Sequence, residues 1–497
     1  MPVPERIKNF INGKWVDAIS KKTFASCNPA DRRDIIGSVA DSDFRDVNAA
    51  VSSARLAFPS WSNCPAPKRG EILYRAAEIL VKRKEVLGAL VTREMGKILA
   101  EGLGDVQEAI DMTYYMAGEG RRLCGETVPS ELANKDAKSV RCPVGVFGLI
   151  TPWNFPIAIP SWKIIPALIA GNTVVFKPAE ETPICATRFV EVLEEAGVPS
   201  GVINLVHGFG ETVGDPIVRH PDVDAVAFTG SNSVGSQIAG ICGSLQKHFM
   251  METGGKNPII IMDDADLDLA CEGALWGGFG TSGQRCTAAS RLIVHEKVYD
   301  VFIKKFRAKA LSLIVGNGQD KKTQMGPIVS HAQYKKVVSY IAVGKKEGAR
   351  LILGGKGMHQ GSCAHGTFIA PTIFVDVTPT MRIAREEIFG PVVSILKIGN
   401  LQEAIKIAND VAFGLSGAIY SQNVNHTAIF ERDMDAGLVY INASTIGAEI
   451  QLPFGGTKKT GLGPRDAGGR GGALDHYTKW KVIYRDFSGR LQKAQID

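Results

Sequence analysis

Between residues 66 and 118 apolar positions recur at helical spacing, with Ile72, Leu73, Ala76, Ala77 and Leu80 on one stripe and charged residues between them. This spacing predicts long amphipathic helices. Near residue 140 the pattern changes to short, continuous apolar runs. Residues 144–150 predict a buried strand, 162–170 a helix, 173–176 a second strand and 183–196 a second helix. Two more strands are predicted at 202–206 and 225–228, each followed by a helical pattern. Short strands alternating with helices imply βαβ units and a parallel sheet. The alternation resumes beyond residue 256, with strands at 259–261, 291–294 and 392–396, so the chain reads as two α/β halves with a seam near 254–256. The tail breaks this rhythm. In 476–487, Tyr477, Trp480, Val482 and Tyr484 stand among polar residues, the pattern of an exposed strand whose partner edge another subunit could supply.

Composition narrows the class without changing this picture. A chain of 497 residues, 45% apolar and 22% charged, has the length of two or three domains and can build its cores without disulfides. The net charge of +6 forms no basic stripe, which argues against a nucleic-acid partner. The nine cysteines show no CxxC pair and read as free thiols of a reducing compartment. Residues 1–15 lack the apolar core of a signal peptide. The most apolar stretch, 157–176, is interrupted by Pro160, Lys163 and Pro166, so no membrane span is expected and the location is expected to be cytoplasmic. No His or Cys cluster has ligand spacing, and no metal is expected.

Five segments carry candidate chemistry. In Phe279-Gly-Thr-Ser-Gly-Gln-Arg-Cys-Thr287 small residues allow close backbone approach and deliver one cysteine, with Arg285 beside it as a cation that could favour a thiolate. A lone cysteine is otherwise a small buried hydrophobe more often than a nucleophile. Met251-Glu-Thr-Gly-Gly-Lys-Asn-Pro258 sets the Glu252 carboxylate before a Gly-Gly turn, which alone could be a helix end. Ile150-Thr-Pro-Trp-Asn-Phe-Pro156 holds Asn154 between two prolines, with Lys163 nine residues on; alone it could be a cap. Val175-Phe-Lys-Pro-Ala-Glu180 ends a strand on a cation and an acid. Phe228-Thr-Gly-Ser-Asn-Ser-Val-Gly235 runs a strand through a glycine turn into a helix, whose amides suit phosphate. Gly208-Phe-Gly-Glu-Thr-Val-Gly214 misses the GxGxxG spacing and reads as a turn near a cofactor.

Together and in this order, the five segments closely resemble the aldehyde dehydrogenase superfamily. Glu386-Glu-Ile-Phe-Gly-Pro391, Asn409 with Phe413-Gly-Leu415, and Pro453-Phe-Gly-Gly456 extend the resemblance, which runs from Phe10-Ile-Asn-Gly-Lys-Trp15 onward. It implies an α/β fold with a Rossmann-type cofactor domain (1–120 and 144–255), an α/β catalytic domain (256–462) and a β oligomerisation arm (121–143 and 473–497). It implies an NAD(P)-dependent, hydrolytic enzyme, assembled as a homodimer or homotetramer. Cys286 would attack the aldehyde, the Asn154 side chain and the Cys286 amide would hold the oxyanion, and Glu252 would activate water to release the acid. Lys163 matches a proton path behind that base; its second member falls at Asp466, where glutamate is usual. Cofactor contacts map to Trp153, Lys177, Glu180, Gly230, Ser231, Gly235, Glu387 and Phe389. Glu180 would favour NAD over NADP by repelling a 2′-phosphate.

The implied substrate tunnel involves Trp162, Ala448 and Phe454. Its loop, 443–452, contains Gly447-Ala-Glu-Ile450, which resembles the antiquitin-like branch that oxidises α-aminoadipate semialdehyde. That branch carries a carboxylate-binding arginine four residues after the nucleophile; here Ser290 stands there and Arg291 follows. The expected substrate is therefore an aldehyde or semialdehyde. Three rivals remain: an acylating enzyme that passes the thioester to coenzyme A, a silent scaffold of the same fold, and a cysteine hydrolase. Glu252 speaks against the first, the retained Cys286, Glu252 and Asn154 against the second, and the lack of a Cys–His pairing against the third.

Overall fold

A computed structural model describes residues 4–493, 495 and 496. Met1, Pro2 and Val3 of the N-terminal segment, and Ala494 and Asp497 of the expected arm, lie outside it. Among the described residues two large sheets organise the chain. The first has eight strands; its centre places Ala225–Gly230 between His248–Thr253 and Val146–Ile150, with Thr173–Lys177 and Ile203–Leu205 beyond. These five are parallel to one another, as the βαβ pattern requires. The second sheet has seven strands and is built around Asn257–Ile261, Ala289–His295 and Val392–Ile398, again parallel. The chain leaves the first sheet at Thr253 and enters the second at Asn257, so residues 254–256 bridge the two. Both sheets are buried on both faces, which is why their strands read as continuous apolar runs rather than as alternation.

The predicted elements are present with shifted ends. The first central strand starts at Val146 because the amides of Val144 and Gly145 donate to Asn172 Oδ1 instead of to a neighbouring strand. The helix expected at 162–170 begins earlier, at Ala158, and ends where Gly171 adopts φ 95°. Residues 66–118 form two antiparallel helices, Ala66–Met95 and Leu99–Glu119, separated by Gly96 at φ 98°. Gly461–Leu462 adds an antiparallel edge to the first sheet beside Met251 and Glu252. Residues Gly210–Gly214 form a single wide helical turn leading into Asp215–Arg219.

The tail strand, Thr478–Asp486, finds a partner edge within its own chain. It pairs antiparallel with Lys135–Pro143, and Glu126–Val128 completes a three-stranded sheet. His476 and Tyr477, expected to open that strand, belong instead to the helical turn Leu474–Tyr477. Among the described residues no helix is long and apolar enough to cross a membrane, and no group of three or more His, Cys, Asp or Glu is placed to hold a metal ion.

Candidate active site

Cys286 sits at the end of a strained turn. Thr281, Ser282 and Gly283 take positive φ in succession (50°, 57° and 68°). Such a backbone costs roughly 1–3 kcal/mol at each non-glycine position, and side chains hold it there. Glu101 accepts from the Thr281 amide at 2.7 Å, Ser282 Oγ donates to the Gly326 carbonyl at 2.7 Å, and Gln284 accepts from the Val329 amide at 3.0 Å. Gly283 has no substitute, since a Cβ there would meet the Gly390 carbonyl oxygen at 2.3 Å. Beyond the turn, Asn257 Nδ2 donates to the carbonyls of Cys286 (2.7 Å) and Ala288 (3.0 Å), tying Cys286 to the strand Asn257–Ile261 of the second sheet.

Two cavities meet at this cysteine. One, of about 140 Å³, is walled by Trp153, Asn154, Gly230, Ser231, Glu387 and Phe389 among others. The second, of about 150 Å³, is walled by Phe155, Trp162, Glu252, Ala448, Phe454 and Asp466 among others. Ile159, Thr229, Thr253 and Cys286 belong to both walls. Cys286 therefore borders both cavities.

The first cavity has the features of a dinucleotide site. Strand Ala225–Gly230 ends at it, and Ser231 caps the helix Asn232–Ser244, whose first-turn amides are available to an anion. Thr229 Oγ1 is buried with no hydrogen-bond partner among the described residues. Glu387 accepts from the Gly255 amide at 3.1 Å, and a Cβ at Gly254 would overlap its carboxylate. The Trp153 and Phe389 rings meet edge to face at 5.3 Å. Gln333 Nε2 donates to the Phe389 carbonyl at 2.7 Å, and Gln333 and Lys336 line the cavity although no motif marked them. Lys177 and Glu180, paired at 3.3 Å, are not among its walls; they sit at the end of the strand Thr173–Lys177. Gly235 is also not a wall residue: it faces Met251 and Thr253 and permits the close approach of helix to sheet.

In the second cavity Glu252 is buried and accepts from the Gly456 amide at 3.3 Å. Burial, and then repulsion from Asp466, push its carboxyl well above the usual range, while Lys163 and Arg465 oppose the shift. Lys163 Nζ lies 2.9 Å from Asp466 Oδ2, both buried, so the aspartate reaches the lysine despite its shorter side chain. Trp162 and Phe454 meet edge to face at 4.9 Å.

Arg285 does not favour a thiolate. Its guanidinium pairs with Glu101 at 3.2 Å, donates to Thr281 Oγ1 at 2.8 Å and lies over the Trp276 and Phe155 rings. Burial, then the charges of Glu387, Glu252 and Glu108, push the Cys286 thiol up to about 12, so the resting thiol is protonated. Arg285 and Glu108 instead line the second cavity, where Arg285 is the one cationic wall residue among the described residues. Ser290 and Arg291 do not face it. Ser290 borders a separate small void behind Glu387, and Arg291 is fully buried, donating to the carbonyls of Lys256, Ile407 and Ala408.

A cysteine, an amide and a carboxyl are gathered between a nucleotide-type cavity and an apolar one, on two parallel sheets, an arrangement suited to an oxidoreductase. The chain belongs to the aldehyde dehydrogenase family, whose profile matches residues 15–483. It is 44% identical to the alpha-ketoglutaric semialdehyde dehydrogenase of Bacillus subtilis, over 96% of this chain and 97% of that one. It is 40% identical to the 2,5-dioxopentanoate dehydrogenase of Saccharolobus solfataricus, over 95% and 98%. Its fold is similar to the crystal structure of betaine aldehyde dehydrogenase from Staphylococcus aureus in complex with NAD+, with a TM-score of 0.95, 37% identity and coverage of 97% and 95%.

Proposed function

We propose that this protein oxidises a carboxylated semialdehyde to the corresponding acid, with NAD as hydride acceptor. The observation that carries the reading is Cys286 in the wall shared by two cavities, with Asn154 on one side and Glu252 on the other. In the proposed reaction, Cys286 Sγ forms a bond to the aldehyde carbon and its proton passes to a base. The Asn154 side-chain amide and the Cys286 amide stabilise the oxyanion; one such donor is worth about 10²–10³ in rate. NAD, when bound, supplies the acceptor for the hydride that leaves the sulfur-bound carbon. Glu252 then takes a proton from water, the water oxygen bonds to the thioester carbon, and the sulfur leaves as the acid departs. The Lys163–Asp466 pair is a route for that proton away from Glu252.

The nucleotide would rest its phosphates on the first turn of Asn232–Ser244, with Glu387 and Phe389 at the nicotinamide end and Lys177 and Glu180 at the adenosine ribose. Glu180 would repel a 2′-phosphate, so kcat/KM is expected to favour NAD over NADP. Arg285 supports a substrate with an anionic far end, as do relatives named for 2-oxo semialdehydes. We assign 1–120 and 144–255 to cofactor binding, 256–462 to catalysis and the three-stranded sheet to assembly as a homodimer or homotetramer. The nine free cysteines support a reducing, cytoplasmic setting.

The test is NADH formation with an aldehyde panel that includes neutral, aromatic and carboxylated members of equal length. The carboxylated members should have the highest kcat/KM, without coenzyme A. If neutral aldehydes are preferred, the substrate assignment fails; if Cys286→Ala keeps its activity, the mechanism fails.

A further inference from the structure

The two loops that carry the reaction come from different sheets. Asn154 lies on the loop before the helix Ala158–Ala170, and Cys286 follows the turn before the strand Ala289–His295. One face of a third element, the helix Leu99–Glu119, touches both. Glu101 and Asp105 are one turn apart on it and point the same way. Glu101 Oε1 accepts from the Thr281 amide at 2.7 Å and from Arg285 Nη2 at 3.2 Å, so it holds the nucleophile's turn. Asp105 Oδ1 accepts from the amides of Ile157 (3.3 Å) and Ala158 (2.7 Å), so it caps the helix that follows Asn154.

Two cations complete the bridge. Lys97 Nζ lies 2.9 Å from Asp105 Oδ2, with both side chains fully enclosed, and 3.7 Å from the centre of the Phe155 ring. The Arg285 guanidinium lies 5.4 Å from the same ring. Phe155, the residue after Asn154, is thus in contact with a cation tied to Asp105 and with a cation tied to Glu101. Charges balance as two anions and two cations, so the cluster is stable buried only while all four members are in place.

We infer that Glu101 and Asp105 are positioning residues, which set the oxyanion amide of Asn154 and the sulfur of Cys286 in register across the two sheets. The inference rests on the reading of Asn154 and Cys286 given above. The two residues touch no reacting atom. They fix the loops whose relative placement decides whether the amide meets the developing oxyanion, and an error of about 1 Å in such a placement costs about 10²-fold in rate.

The experiment uses the full-length protein and steady-state kinetics with NAD and one good aldehyde. Asp105→Ala and Glu101→Ala should each lower kcat by about 10–100-fold with KM values changed less than about threefold. Asp105→Glu and Glu101→Asp keep both the charge and the acceptor oxygens and should restore part of the lost kcat, which a bulk loss of folded protein would not predict. A double-mutant cycle then assigns the route. In an Asn154→Ala background, Asp105→Ala should cost less than about threefold, because its effect passes through the missing amide, whereas Glu101→Ala should keep most of its cost. Should the alanine variants fail to fold, Phe155→Leu, which removes the ring and leaves the charges paired, should lower kcat in the same way and couple to Asn154. An Asn154→Ala variant of normal activity would overturn the reading of the oxyanion site itself. A slow Asn154→Ala variant beside an Asp105→Ala or Phe155→Leu variant of normal kcat, or costs that multiply when Asp105→Ala is combined with Asn154→Ala, would overturn the positioning role alone.

Discussion

Glu252 and Glu108 are carboxyls of one cavity, and each yields a test. Glu252 is pushed well above the usual carboxyl range by burial and by Asp466, so its basic form grows as pH rises. Glu252→Gln should leave acylation intact and slow thioester hydrolysis by about 10²–10⁴-fold. Stopped-flow mixing should then show one NADH per subunit followed by near silence, where the wild type continues. Glu108 makes no hydrogen bond or ion pair with any described residue, and burial followed by repulsion from Asp105 raises it to about 8, against the pull of Lys97 and Arg285. Below that pH it is neutral beside Arg285; above it, its charge opposes an anionic substrate. The KM for a carboxylated aldehyde should therefore climb as pH passes about 8, while the KM for a neutral aldehyde of equal length stays flat. Glu108→Gln should remove the climb. Of these residues, Cys286, Glu252 and Asn154 are legible in the sequence because each sits in a segment of unusual small-residue or proline content. Glu101, Asp105 and Glu108 are not: on a helix with an apolar stripe, acids at this spacing read as a solvent face. Glu101 and Asp105 are buried against Arg285 and Lys97, and Glu108 is half-buried in the cavity wall, which only the folded chain brings about.

Glycines show the same division at the level of elements, since one residue type has opposite effects in a turn and in a helix. Gly283 takes φ 68° and abuts the Gly390 carbonyl, and neither backbone can yield without moving Cys286. Gly283→Ala should cost roughly 1–3 kcal/mol in urea unfolding and lose most activity. Gly240 lies exposed in the helix Asn232–Ser244 with nothing within 4 Å of a Cβ. Gly240→Ala should stabilise the protein by about 0.5–1 kcal/mol and leave kcat unchanged. The sequence shows both glycines and distinguishes neither, because φ is set by tertiary anchors such as Glu101 on the Thr281 amide. Strands were easier to read than their ends. The runs at 173–176 and 259–261 are legible because both faces are buried. The start at Val146 rather than 144 depends on Asn172, an amide 28 residues away from Val144, which takes the amides that would have extended the strand. The helix start at Ala158 is hidden by Pro160 in its first turn and depends on the remote cap from Asp105.

At the scale of the whole molecule, the three-stranded sheet stands apart from the two buried ones. Nine residues of Thr478–Asp486 pair with Lys135–Pro143, and this pairing answers the sequence pattern that called for a partner edge. It leaves both faces short of cover. Trp480, Val482 and Tyr484 share one face, being two residues apart, and are 48%, 57% and 67% exposed. Arg141 and Lys135 from the neighbouring strand lie against the Trp480 and Tyr484 rings, which shields their inner edges only. A lone three-stranded sheet has little core of its own and needs an apolar face covered to persist in water. A second copy of the chain is the cover that the proposed homo-oligomer supplies. Light scattering on the purified protein should give a mass at least twice the 53.4 kDa of one chain. Replacing Trp480, Val482 and Tyr484 together by serine should shift that mass toward a single chain, with the two large sheets still folded by circular dichroism. A wild-type mass of 53.4 kDa, or a triple variant that keeps the full assembly, would remove the arm from the account of how this protein assembles.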